Sequence, residues 1–263
     1  MKLLLSWNYF TRVNYIKKIL SGAEKNEHID FYIIRFFCVM IVLFFPTKYW
    51  YKIAFRITWF FKIYYWFFNK NLLKDCLIRS VKLNRFLSLL TRAGVNFHIP
   101  YTIKGTDLLN HSSGILLATT HLPLSKVGIK AILEKPFKVE AAIVAKPTII
   151  NKMSVWGSKQ KIKSLKTEPF VLLKSKRILL NKGCLVLMID NVLTKDYSPN
   201  SLRLCKITGS KLVFFFAQLT PNGVIHIELF YPPSPFCESE RAIEANLNYL
   251  KSRELKLINE NIL

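Results

Sequence analysis

The chain has 263 residues, 51% of them hydrophobic and 14% aromatic, and its 39 Lys and Arg against 16 Asp and Glu give a formal net charge of +23. A disordered tail would have few aromatic and few apolar residues, so this composition excludes one. Nine Gly and 11 Pro are too few for a collagen-like or linker-like polymer. The length suits one substantial domain with a small accessory region.

The positive charge is combined with a positive mean hydropathy of +0.22. This combination favours binding to an anionic membrane surface, where each Lys or Arg near the headgroups contributes about 1 kcal/mol. An acidic partner or a phosphorylated substrate is compatible with the same charge, whereas nucleic acid is not expected because no nucleic-acid-binding module is present. The five Cys form no CxxC pair and the five His are scattered. We therefore expect reduced, buried thiols, no metal site and no cofactor.

Residues 1–70 differ in composition from the rest of the chain. Met1–Leu20 has the apolar spacing of an amphipathic helix. The apolar run Phe31–Phe45 follows and is stopped by Pro46. Trp50–Phe68 then alternates aromatic residues with Lys and Arg. We expect residues 1–70 to form a membrane-associated helical region.

In the third segment, Lys52, Arg56, Trp59 and Lys62 follow one another at spacings of three or four residues, so the cations share one helical face. Trp and Tyr beside Lys and Arg are typical of the headgroup zone, which favours a helix lying in the interface. The fifteen residues of Phe31–Phe45 are fewer than the roughly 20 that cross the hydrocarbon core. Flanking residues could lengthen that span, so crossing the membrane stays open. A hydrophobic helix packed on the following domain is the other alternative.

Residues 71–263 alternate between helical and strand patterns, which predicts an α/β domain with a mainly parallel central sheet flanked by helices. Gly183 is the predicted left-handed cap of one helix, and a lysine-rich connection occupies residues 146–166. Helices are predicted at Lys74–Arg92, Pro123–Glu134, Phe170–Asn181, Ser201–Thr208 and Ser239–Leu263, and strands at Val95–Ile103, Gly114–Thr120, Val139–Ala145, Cys184–Asp190, Lys211–Thr220 and Val224–Tyr231.

Two polar residues stand where predicted strands end. His121 follows GILLATT directly, and Asp190 ends CLVLMID. Ligands of open α/β sheets bind outside the carboxyl ends of the strands, and a histidine there can act as a general base on a hydroxyl. The alternatives are a loop histidine that caps the next helix and an ordinary turn acid.

These blocks resemble the lysophospholipid acyltransferase superfamily, and within it the late acyltransferase branch of lipid A (lipopolysaccharide) biosynthesis. The similar segments are IKGTDLLNHSSGILLATTHLPLS, LLKSKRILLNKGCLVLMIDN and ITGSKLVFFFAQLTPNG, and the likeness covers roughly residues 30 to 263. The resemblance implies transfer of a fatty acyl chain from a thioester donor, acyl carrier protein or CoA, to a (phospho)glycolipid acceptor. It also implies a location at the cytoplasmic face of the inner membrane, peripheral or N-terminally anchored.

The family motif is a His followed after four residues by Asp or Glu. The resemblance gives His121 the role of base, but the acid position is occupied by Lys126. A cation there could not stabilise the imidazolium that forms during turnover. Three outcomes are open: Asp190 or Glu134 replaces the acid, the chain is a catalytically degenerate lipid-binding member, or the acid is dispensable for a reactive donor.

Basic residues supply candidate substrate contacts. Lys126, Lys146, Arg177 and Arg203 are the candidate substrate-binding residues, for phosphates of the acceptor or the acidic surface of acyl carrier protein. The alternative is that these cations are merely solvated on the surface of a lysine-rich protein.

Overall fold

The computed structural model describes residues 12–20, 29–68, 75–93, 97–110, 112–134, 141–144, 163–165, 170–191 and 196–260. Within them, a seven-stranded sheet has the order β1-β7-β6-β2-β5-β3-β4. Every neighbouring pair is parallel except β6 with β7. The predicted α/β class with a mainly parallel sheet is confirmed. The strands are β1 Tyr101–Lys104, β2 Ile115–Thr119, β3 Ala141–Val144, β4 Lys163–Leu165, β5 Cys184–Met188, β6 Lys211–Leu219 and β7 Ile225–Phe230.

Helices cover both faces of this sheet. One apolar core joins helices α1–α5 to one face, and a second core joins helices α6–α8 to the other. The helices are α1 (residues 12–20), α2 Ile29–Phe44, α3 Trp50–Phe68, α4 Asp75–Arg92, α5 Ser125–Leu133, α6 Val171–Leu180, α7 Pro199–Thr208 and α8 Glu240–Glu260, with short 3-10 helices at Thr47–Tyr49 and Thr106–Leu109.

The N-terminal helices pack on the sheet layer through α4. Trp50 is buried, and the Tyr51 hydroxyl donates a 2.6 Å hydrogen bond to the carbonyl of Gly223 in the β6–β7 turn. Gly223 has a positive φ of 81°, and a Cβ there would lie 2.7 Å from the Phe55 ring, so turn and helix fit closely only with glycine. The predicted boundary near residue 70 lies outside the described residues. No helix in the described part of the chain combines the length and apolarity needed to span a bilayer.

Local details differ from the predicted elements. The strand predicted at Val95–Ile103 begins only at Tyr101. Helix α5 starts at Ser125, after a turn that contains Pro123. The left-handed residue after α6 is Lys182, with φ of 60°, rather than Gly183. Strand β4 lies inside the lysine-rich connection and was not predicted, because three residues are too few to show a pattern.

The predicted reduced thiols are present in the described residues. Cys38, Cys184, Cys205 and Cys237 are free and buried. Burial raises the pKa of the Cys184 thiol to about 12, so this side chain behaves as a small apolar group. Of Cys76, only the backbone lies within the described residues.

Candidate functional site

The sheet register brings His121 and Asp190 together. Strands β2 and β5 are parallel neighbours, and Thr119 pairs with Met188. The next hydrogen bond continues the ladder, since the Ile189 N–H donates to the Thr119 carbonyl at 3.0 Å. Both strands therefore end at the same edge of the sheet and at the same level, and adjacent strands are only about 4.8 Å apart.

Asp190 binds both the backbone and the ring of His121. Its Oδ1 and Oδ2 accept from the His121 backbone N–H at 2.9 and 3.0 Å. Oδ1 is also 2.8 Å from the ring Nδ1. Because a carboxylate can only accept here, the network assigns a proton to Nδ1, so that in the neutral imidazole the lone pair lies on Nε2. The side chain of His121 is 35% exposed and that of Asp190 only 12%, so the acid is shielded while the ring stays accessible.

The contacts with His121 also decide the charge of the acid. Burial raises the pKa of the Asp190 carboxyl, but the hydrogen bonds from the side chain and backbone of His121 outweigh it, so the pKa is lowered. Asp190 is consequently ionised at neutral pH. We call the two side chains the His121–Asp190 dyad.

The described ends of the loop after β5, residues 189–191 and 196–198, are bonded to each other, which fixes Asp190. Asp190 and Tyr197 form an isolated antiparallel bridge, and the Ser198 N–H donates to the Ile189 carbonyl at 2.7 Å. The Tyr197 hydroxyl donates a 2.6 Å hydrogen bond to Glu254 on α8. Sequence reasoning missed Tyr197 and Glu254, which are 57 residues apart, and no local pattern links them.

Two hydroxyls beside the dyad have no hydrogen-bond partner. The side-chain oxygens of Thr120 and Ser125 are buried and unpaired in the described structure, and both residues have no exposed surface. Buried polar groups are nearly always paired, and an unpaired one calls for an explanation such as a catalytic role or a bound water or ion. Thr120 directly precedes His121, and Ser125 opens α5.

The other candidate acid is committed elsewhere. Glu134 accepts a 2.8 Å hydrogen bond from the Tyr101 hydroxyl and lies 3.5 Å from the buried Lys130 ammonium. Lys126 is exposed in the first turn of α5. Of the two acids considered as partners of the histidine, Asp190 and Glu134, the structure places Asp190 against His121.

The remaining candidate cations are not brought to the dyad by any contact in the described residues. Arg203, on α7, forms an exposed ion pair of 2.8 Å with Glu240. Arg177 is exposed on α6. Lys146 lies outside the described residues. No cluster of three or more His, Cys, Asp and Glu that could hold a metal ion occurs among the described side chains.

Comparison with known proteins adds no identification. No protein-family model matches the chain, and no curated protein sequence matches it.

Proposed function

We propose that this protein is a membrane-associated acyltransferase that moves a fatty acyl chain from a thioester donor, acyl carrier protein or CoA, to a (phospho)glycolipid acceptor, as in late acylation of lipid A. The observation that carries the proposal is the 2.8 Å contact between Asp190 Oδ1 and Nδ1 of an accessible His121. It supplies the oriented base that the Lys126 substitution had put in doubt.

The dyad has the groups that acyl transfer needs. Nε2 of His121 accepts the proton of the acceptor hydroxyl or amine while that atom attacks the thioester carbonyl carbon. The carbon–sulfur bond then breaks as the tetrahedral intermediate collapses, and the imidazolium returns its proton to the departing thiolate. Asp190 stays ionised and stabilises the imidazolium formed between these steps. No cofactor is required for this sequence.

An aromatic surface on α2 and α3 supports membrane association. We give this name to large aromatic side chains that are exposed on these two helices. Trp59 and Phe60, for example, are 51% and 63% exposed. Exposed Lys52 and Arg56 lie on the same helix. Aromatic rings beside cations suit the headgroup zone of an anionic leaflet. The aromatic surface consists of Tyr32, Phe36, Phe44, Trp59 and Phe60.

The proposed location is the cytoplasmic face of the inner membrane, reached by peripheral binding or an N-terminal anchor. The formal charge of +23 favours an anionic leaflet, and free buried thiols fit a reducing compartment. Anionic lipids, the thioester donor and the glycolipid acceptor are the proposed partners.

A second candidate function is lipid binding without catalysis. The observation that favours it is Lys126, a cation at the position of the motif's acid. A protein of this kind would keep the fold and the aromatic surface but bind an acyl lipid without turning it over.

Turnover by purified protein separates the two functions. The assay follows a labelled acyl chain from acyl carrier protein to a lipid acceptor, with His121→Ala as the variant. Exposed His98 provides a matched control, His98→Ala, which we expect to retain full activity. Loss of transfer in His121→Ala alone supports catalysis by the dyad. Equal transfer by all three proteins would remove His121 from the mechanism, and lipid binding without transfer would favour the second function.

A further inference from the structure

The sheet face beneath α8 carries polar side chains at its β7 side. Along β7, buried residues alternate with partly exposed ones, and His226 and Glu228 belong to the second set. Their register partners on β1 are Thr102 and Lys104. Thr102 Oγ1 is 2.9 Å from His226 Nδ1, and Lys104 Nζ is 3.4 Å from Glu228. Thr102 and Lys104 are exposed and His226 and Glu228 are half-buried, so these polar side chains are accessible to a ligand from solvent.

A cleft of about 150 Å³ separates these strands from the last turns of α8. Measured in the same way, one water molecule needs about 10–15 Å³, so the cleft is large enough for a phosphate group. Phe216 and Gln218 of β6, His226 and Glu228 of β7, and Arg253 and Lys256 of α8 line it.

The lining suits an anion. Arg253 is held in place by its 2.9 Å bond to Glu228 and by the Phe230 ring, 4.5 Å below the guanidinium. Arg253 and Lys256 give the lining two positive charges against one negative charge from Glu228. Thr102 engages Nδ1 of His226, which leaves Nε2 for a ligand. Guanidinium, ammonium and imidazole groups converging on one small cavity are the donor set that binds phosphate.

The β6 side of the cleft lies at the carboxyl end of β2, where the dyad begins. Ala118 of β2 pairs with Phe214 of β6, so Phe216 is level with Thr120, the residue before His121. On the other side, Glu254 follows Arg253 on α8 and binds Tyr197 of the loop that fixes Asp190. We infer that the cleft between β6, β7 and α8 binds the phosphate group of the acyl acceptor. The assignment of that phosphate to the acceptor rests on the acyl-transfer function proposed above.

The first experiment measures binding of inorganic phosphate to the full chain by isothermal titration. We expect His226→Asn and Lys256→Gln each to weaken binding at least tenfold, with unchanged circular dichroism. Lys251→Gln, an exposed lysine of the same helix outside the cleft, is the matched control and should bind as the parent does. Parent-like affinity in both cleft variants, or no binding by the parent at 10 mM phosphate, would overturn the inference.

A second arm identifies the source of the phosphate. Dihexanoyl phosphatidic acid, a soluble phosphomonoester lipid, should bind at least tenfold more tightly than inorganic phosphate and lose that affinity in the same two variants. Equal affinity for the two probes would overturn the assignment to a lipid acceptor.

Measuring acyl transfer alongside phosphate binding distinguishes failure of the proposed function from failure of the phosphate site. A parent protein that binds phosphate through the cleft but transfers no acyl chain contradicts the proposed function and leaves the phosphate site standing. An active enzyme whose KM for a phosphorylated acceptor is unchanged in His226→Asn and Lys256→Gln contradicts the acceptor assignment alone. If both proposals hold, these variants raise KM tenfold or more with little change in kcat, and His121→Ala still binds phosphate.

Discussion

Replacing Asp190 by asparagine tests the dyad most directly. The amide oxygen of the new side chain can still accept from the His121 backbone N–H, so the loop keeps one of its anchors. Its NH2 group, however, is a donor, and placed against Nδ1 it would favour the tautomer with the proton on Nε2. Under the proposed function, that tautomer has no lone pair on Nε2 to take the proton of the acceptor. The variant also lacks the negative charge that stabilises the imidazolium.

The size of the effect follows from the role of the pair in proton transfer. A positioned general base contributes about 10²–10⁴-fold to a rate, and the low end applies if the ring of Asp190→Asn still reaches the acceptor, because the His121 ring is 35% exposed and partly solvated. The wrong tautomer adds to this loss, and triads deprived of their acid lose about 10⁴-fold. We therefore expect kcat to fall between about 100-fold and 10⁴-fold.

The assay is single-turnover acyl transfer at saturating acceptor, which separates chemistry from binding. Asp196→Asn changes an exposed acid of the same loop and should retain the parent rate. Thermal unfolding checks that the variant is folded. A loss of stability is expected in it, because the ionised Asp190 carboxylate contributes stability that is present above its ordinary pKa near 3.8 and is lost as the pH falls through its lowered pKa. A rate for Asp190→Asn within threefold of the parent would refute the reasoning.

Four further variants test other parts of the structure. Lys126→Glu should change transfer less than threefold, because Asp190 already occupies Nδ1; a large gain would indicate a decayed site. Burial lowers the pKa of Lys130 to about 8 despite Glu134, so unfolding free energy should rise between pH 8 and 9.5, by at most about 1.4 kcal/mol per pH unit, and Lys130→Met should abolish that slope. Lys182→Gly should stabilise by about 1 kcal/mol in urea denaturation, since it relieves a left-handed conformation; destabilisation would contradict this. Trp59→Ser should weaken binding to anionic vesicles about fivefold to tenfold, for loss of roughly 1 kcal/mol of apolar burial; unchanged binding would place that surface away from the membrane.

Local signals sufficed for most elements. Pro46 separates two helical runs, and helix α3 has the predicted bounds, Trp50–Phe68. The turn at residues 221–223 joins β6 and β7 as an antiparallel pair, as predicted. Gly183 failed as a cap because the glycine signal marks a position only to within a residue, and Lys182 adopts the left-handed conformation instead.

The partner of His121 could not be fixed from local sequence. Asp190 is 69 residues away, and no local sequence pattern in β2 or β5 indicates that these two strands are neighbours. Strand order and register depend on the packing of the whole sheet, which is a non-local property. The sequence could name two acids, Asp190 and Glu134, but only the register distinguishes them. The cleft was missed for the same reason, since its lining comes from two strands and a helix.

The position of the acid changes how the base is held. An acid five residues after the histidine would lie in the first turn of α5, where Lys126 lies, and would reach the ring from the helix. Asp190 comes instead from the neighbouring strand and binds backbone and ring together, so the imidazole is fixed relative to the sheet. The aromatic surface belongs to the layer on one sheet face and the cleft to the layer on the other. Under the proposed function, the acyl chains of the acceptor would lie on one face of the sheet and its phosphate on the other. The acceptor would therefore pass over the carboxyl edge of the sheet, where the dyad lies.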